Sequence, residues 1–284
     1  MKSRRIIYII VNLVVIALAA ALFIFQYRNI KELFAGEKIL AAVILLATVV
    51  LVHAIKAVRL YIALYGSGIT FLGCLKTYFK VTPVSVIIPF KLGEFFRMYC
   101  YGTQIGNMLK GVVIILLDRF MDTVGLLIAI ALVCIFTMSH LSTLAYLLII
   151  FVVFILLVYF VFPGVYRFWK KYLMHGRASE KKLAALRVLE AMNKVYCEME
   201  GVAKGRGMIL FFMSLIAWAV EIGSIALTIK IAGSGKLYDT INNYLNAAMG
   251  GKSFPQLQQF VVVSVVVLIA AYVVAKAISV FRKK

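Results

Sequence analysis

Three short stretches hold most of the ionisable side chains that interrupt an otherwise oily sequence. "PFKLGEFFRMY" carries Lys91, Glu94 and Arg97; "LLDRFMDTVG" carries Asp118, Arg119 and Asp122; "SLIAWAVEIGS" carries Glu221. Carboxylates accept hydrogen bonds from amines and hydroxyls, and guanidinium forks grip phosphate in a bidentate fashion. The chemistry these types can do together is recognition of a polar, charged head group. On a helix, Asp118, Asp122 and Gly125 share one face at steps of four and three residues, with Arg119 beside Asp122. Glu94 and Arg97 stand at i, i+3, which allows a local ion pair as well as a head-group contact. Glu221 is either a hydrogen-bonded carboxyl packed in the bundle or a cavity acid for a cation or proton. His53, Lys56 and Arg59 recur at three-residue steps near the end of a hydrophobic run. Lys56 and Arg59 either snorkel to the surface or join the same site as secondary contacts.

The elements that must position these groups are membrane helices. Hydrophobic residues make up 64% of the 284-residue chain, against roughly 45–50% in soluble domains. Apolar runs of about 20 residues exceed the roughly 18 that mark a span. The expected spans are about Ile6–Gln26, Ile39–Leu60, Gly111–Thr137, Leu144–Phe162, Met208–Ala232 and Phe260–Val280. Pro163-Gly164 is read as a stop after the fourth. The first run is too long for a secretory leader and is read as a retained helix. Counting from Lys110 places Asp118 about 12 Å along its helix, deep in a hydrocarbon core about 30 Å thick. Charges at that depth are costly and mark substrate paths or tight ion pairs.

Formal net charge is +20, from 31 Lys and Arg against 11 Asp and Glu. The cations lie between spans, which points to topology rather than nucleic acid. With the N-terminus inside, 24 Lys and Arg fall on the cytoplasmic side and six outside, as the positive-inside rule requires. That count also requires the segment Tyr61–Lys110 to enter and leave on one side. Pro83, Pro89 and Gly93 break it, so it is expected as a re-entrant hairpin of two short helices at about 71–101. Residues 179–202 carry an apolar stripe of Leu183, Leu186, Leu189, Met192, Val195, Met199 and Val202. That spacing predicts a separate cytoplasmic amphipathic helix, with Gly201, Gly205 and Gly207 as its stop. The whole reads as one all-α polytopic membrane domain over 1–284, six spans, N-in and C-in. The four cysteines show no paired or metal-ligand spacing, the three histidines are scattered, and no nucleotide-binding motif occurs. No cofactor or metal is expected.

The first two stretches resemble the pattern P-x-x-x-G-E-x-x-R, then D/E-R-x-x-D, of the lysylphosphatidylglycerol synthase transmembrane-region family. That family includes the flippase domain of the multiple peptide resistance factor. The matching residues are Pro89, Gly93, Glu94, Arg97, Asp118, Arg119 and Asp122, with Arg59 and the Trp218/Glu221 stretch as looser matches. The resemblance implies translocation of a polar-headed lipid in the cell membrane. Its cargo would be an anionic phospholipid such as aminoacylated phosphatidylglycerol, or a polyprenyl-phosphate-linked sugar. The catalytic transferase domain of full-length members is not expected here, so the chain is read as a non-enzyme. The family's second break ends in G-x-x-E; here "AMGGKSFPQLQQF" has no acid. A solute or ion transporter, and a membrane partner of a lipid synthase or glycosyltransferase, stay open as alternatives, as does self-association.

Overall fold

A computed structural model describes residues 2–27, 30–34, 39–88, 92–138, 140–175, 179–232, 237–250 and 254–281. Among them the chain is entirely helical. In order, the helices are α1 (Lys2–Gln26), α2 (Ile30–Leu33), α3 (Ile39–Leu64), α4 (Phe71–Ile87) and α5 (Leu92–Ile105). They continue with α6 (Met108–Thr137), α7 (Thr143–Met174), α8 (Glu180–Ala232), α9 (Leu237–Ala248) and α10 (Pro255–Phe281). Six are long and apolar enough to cross a membrane: α1, α3, α6, α7, α8 and α10. This is an all-α membrane protein, as the hydropathy pattern predicts.

The broken segment folds into the helix pair α4–α5. α4 starts where α3 has ended, capped by Thr70, whose hydroxyl accepts from the Gly73 amide at 3.2 Å. α5 returns to where α6 begins. Near this mouth the Thr77 hydroxyl donates to Gln104 at 2.7 Å and the Tyr101 hydroxyl donates to the Cys74 carbonyl at 3.2 Å. Both helices therefore open at one end of the bundle. Pro83 lies inside α4 and is buried, while Pro89 and Lys91 lie outside the described residues.

Glycines set how closely the pair closes. A Cβ added at Gly93 would stand 2.4 Å from the Ser85 Cα, inside α4 backbone. One added at Gly111 of α6 would stand 2.6 Å from the Gly102 Cα of α5. Backbone thus meets backbone on both sides of α5, which draws Glu94 and Arg97 toward α6.

Three expectations fail. α7 does not stop at Pro163-Gly164 but runs through to Met174. A helix-interior proline costs about 3 kcal/mol, and contacts with α8 on both sides of it offset that. Tyr196 of α8 packs on Tyr159 and Phe162, with ring centroids 5.4 and 5.1 Å apart. Past the proline, Glu190 of α8 accepts from the Tyr166 hydroxyl at 3.0 Å and Lys170 at 2.8 Å.

The stripe at 179–202 is not a separate helix either. It is the first half of α8, one helix of 53 residues. Gly201, Gly205 and Gly207 do not stop it. The described glycines with positive φ are Gly66, Gly68, Gly106 and Gly250, so none of the three takes the left-handed turn that ends a helix. Arg206 stitches this region to the end of α3, donating to the Tyr65 carbonyl at 2.7 Å and the Ile62 carbonyl at 3.3 Å.

The presumed polar link before the last span contains α9. It buries Ile241, Tyr244, Leu245 and Ala247, a short apolar face at helical spacing. α10 starts at Pro255 rather than Phe260, because proline suits the first helical position, where its missing N–H has no intrahelical role.

The close approach at Gly93 generates a stability prediction. Gly93→Val must displace α4 backbone and is expected to lower the melting temperature in detergent by about 3–8 °C. Gly164→Ala, whose Cβ would meet nothing within 4 Å, is expected to leave it unchanged in the same fluorescence melt.

Candidate functional site

Among the described residues, eight charged side chains converge where α3, α5, α6 and α8 meet. Four are cations, Lys56, Arg59, Arg97 and Arg119; four are anions, Glu94, Asp118, Asp122 and Glu221. The cluster is neutral at ordinary ionisation, which is how so many charges are tolerated inside a bundle.

Arg59 is its hub. Its Nε donates to Asp118 Oδ1 at 2.8 Å, and its Nη1 to Asp122 Oδ1 at 2.8 Å and Ser214 Oγ at 2.6 Å. Only 1% of its side chain is exposed. α3 and α6 hold this geometry because Asp118 and Asp122 lie one turn apart and so face Arg59 together. α8 supplies Ser214, and Gly125 lets it come close: a Cβ there would lie 3.2 Å from both Ser214 Cβ and Trp218 Cδ1.

Arg97 meets the other oxygen of Asp118, Nη2 to Oδ2 at 3.5 Å, and lies 3.7 Å from Glu94. Its guanidinium sits 5.8 Å from the Tyr78 ring, and the Tyr78 hydroxyl pairs with His53 Nδ1 at 2.9 Å. Unlike Arg59, Arg97 has two buried donors, Nε and Nη1, without a hydrogen-bond partner among the described residues. Arg119, the most exposed member, spans from Glu94 at 3.2 Å to Asp122 at 3.9 Å.

A second branch runs through α8. Lys56 Nζ lies 3.0 Å from Glu221 Oε1 and 5.6 Å from the Trp218 ring centroid. Trp218 Nε1 donates to the Asp122 carbonyl at 3.1 Å, which joins the two branches. The Tyr244 hydroxyl of α9 donates to Glu221 Oε2 at 3.1 Å.

The structure thus brings together Glu94, Arg97, Asp118, Arg119, Asp122, Glu221, Lys56 and Arg59. Of the two readings open for Lys56 and Arg59, both side chains follow the second and point into the cluster rather than to the surface. Asp118 is neutralised across helices by Arg59 and Arg97, and Arg119 makes its i, i+3 contact with Asp122, the residue it was expected to flank. Sequence reasoning gave no role to Ser214, Tyr78 or Tyr244. The periodic Ile241, Tyr244 and Leu245 was the signal available for the last; for Ser214 and Tyr78 there was none. Among the described residues no group of three or more His, Cys, Asp and Glu is placed to hold a metal ion.

Removing the hub leaves two buried carboxylates without their main partner. Arg59→Met is expected to cost about 3–5 kcal/mol. Asp118→Asn added to Arg59→Met should recover part of that loss. Arg119→Ala, at a half-exposed pair, should cost about 1 kcal/mol or less. Thermal unfolding of the purified variants in detergent measures all three.

The chain as a whole has a counterpart among known protein families. The family described as lysylphosphatidylglycerol synthase TM region matches residues 9–234. That span takes in every charged member of the cluster and stops before α9. No curated protein and no solved structure matches the chain. The match extends over most of the sequence and contains the network just described, so the chain belongs to the lysylphosphatidylglycerol synthase transmembrane-region family.

Proposed function

We propose that the chain translocates a polar-headed lipid between the leaflets of the cell membrane. The head group would be a phospholipid's, such as aminoacylated phosphatidylglycerol, or the phosphate and sugar of a polyprenyl-phosphate lipid. The observation that carries this reading is the contrast between two buried arginines. Arg59 donates to two carboxylates and a hydroxyl and holds the bundle together. Arg97, at the returning helix of the hairpin, has two buried donors, Nε and Nη1, without a hydrogen-bond partner among the described residues, with Nη1 3.7 Å from Glu94 Oε2. Unsatisfied buried donors are costly and uncommon, and a guanidinium edge of this kind suits a phosphate oxygen. Glu94, Asp118, Asp122 and Glu221 would meet amines or hydroxyls of the same head while the tails stay in lipid. Membership of a membrane-lipid family supports the same reading. The chain acts in this reading as a transporter rather than an enzyme, with membrane lipid as its partner.

A separate feature supports a second reading, a membrane partner of a lipid synthase or glycosyltransferase. The antiparallel ends of α7 and α8 expose Phe168, Trp169 and Tyr172 beside Val188 and Met192. Such a face suits a docked protein.

Reconstitution in liposomes with head-group-labelled fluorescent lipids separates the two. Wild type is expected to speed leaflet exchange, Arg97→Gln to slow it about tenfold or more and Asp118→Asn comparably, while Trp169→Ala leaves it intact. Absence of exchange by wild type for phosphatidylglycerol, aminoacylated phosphatidylglycerol and polyprenyl-phosphate lipids alike sinks the translocator. Co-purification of a synthase that Trp169→Ala abolishes would then favour the partner.

A further inference from the structure

A second space lies at the opposite end of the bundle from the hairpin's mouth. A cavity of ≈ 180 Å³ lies between the first turns of α3 and α10, the last turns of α8, and α9. It has room for about six waters at roughly 30 Å³ each, or for one small organic group. Its polar lining is Ser224, Thr228, Thr240, Tyr244, Gln256 and Gln259; among the described residues it holds no Asp, Glu, Lys or Arg. Phe34 and Phe260 add aromatic faces.

Three hydroxyls of this lining have already spent their protons, while the side-chain amides of Gln256 and Gln259 bring both donors and an acceptor oxygen. The Ser224 hydroxyl donates to the Glu221 carbonyl at 2.8 Å, and the Thr228 hydroxyl to the Ser224 carbonyl at 2.8 Å. The Tyr244 hydroxyl donates to the Glu221 carboxylate. All three protons are committed, so these oxygens can only accept from a guest. Gln256 Oε1, another acceptor, is buried with no partner among the described residues. A lining with hydroxyl acceptors, amide groups and no charge among the described residues suits a neutral guest that donates and accepts. A phosphate brings only acceptors and a charge. An ammonium donates, but no carboxylate lines the space among the described residues, and Glu221 behind Tyr244 is held between Lys56 and Tyr244.

From this lining we infer that the cavity is a binding site for an uncharged hydroxylated group, a sugar ring or glycerol-like polyol. Its hydroxyls donate to Ser224, Thr228, Tyr244 and Gln256, and its C–H face lies against Phe34 or Phe260. The inference deepens the translocation reading by naming the part of the head group that is recognised. Tyr244 then touches the bound polyol on one side and Glu221 on the other, so occupancy is felt by the charged cluster. The same hydroxyl chemistry can come from a lipid head group or from a free sugar.

The test is photolabelling of the full chain in phosphatidylcholine nanodiscs with an octyl β-glucoside that carries a diazirine on its sugar. Adducts are mapped by peptide mass spectrometry. Labelling is expected on the peptides carrying Ser224–Ile229 and Gln256–Phe260. Thr228→Val and Gln256→Leu should each reduce it about 3–10-fold with no change in melting temperature. Competition by glucose assigns the site to a free solute. Competition by octyl β-glucoside alone assigns it to a lipid head. Labelling unchanged in both variants overturns the inference, as does stronger competition by octyltrimethylammonium than by octyl β-glucoside. Labelling needs no leaflet exchange, so loss of the site and loss of translocation are separate results.

Discussion

Arg59 held between Asp118 and Asp122 is the interaction on which the bundle depends. It joins α3 to α6 and, through Ser214, to α8, the three helices at the centre of the molecule. Coulomb attraction in a poorly solvated interior is strong, but stripping water from each ion is costly. The arrangement holds because the charges cancel and because Arg59 spends its fork on two carboxylates and a hydroxyl at good distances. Everything else at the site is arranged around that lock. Arg97 reaches the far oxygen of Asp118, and Glu94 links Arg97 to Arg119. A change in any one partner redistributes charge among the rest, so the cluster behaves as a unit rather than as a set of separate bridges.

The hairpin α4–α5 supplies the part of the cluster that the spanning helices cannot. A helix crossing the bundle would place one or two turns at this depth. A pair that turns back brings α5 alongside α6 in the antiparallel sense, with Glu94 and Arg97 facing Asp118 and Arg119. Small residues make this possible. Gly93, Gly102 and Gly111 let backbones touch, as small residues do between membrane helices generally. The resulting contact is tight where the chain is held and under-satisfied at Arg97.

Much of this was legible in the sequence. The apolar runs gave the six long helices. The clustering of Pro83, Pro89 and Gly93 gave the hairpin, and Glu94, Arg97, Asp118, Asp122 and Glu221 were visible as misfits in oily surroundings. Three features were not legible, for physical reasons. Pro163 and the glycines at 201, 205 and 207 look like stops because local propensity argues so, whereas tertiary contacts decide: Tyr196 and Glu190 across Pro163, Arg206 beside the glycines. Arg59 stayed open between a surface cation and a site contact because its partners lie 59 and 63 residues away. Tyr244 was hidden in a stretch whose polar residues, Asp239, Asn242 and Asn243, mask a short buried face.

The unbroken course of α8 has a mechanical meaning. Ser214, Trp218 and Glu221 sit in its second half, and Glu180 lies about 60 Å away at 1.5 Å per residue. A helix without a hinge transmits rotation along its whole length. A tilt of about 5° at Glu221 swings the far end by about 5 Å on that geometry. The α7–α8 ends therefore form a long arm whose displacement reports, and can impose, rearrangement among ion pairs buried in the bundle.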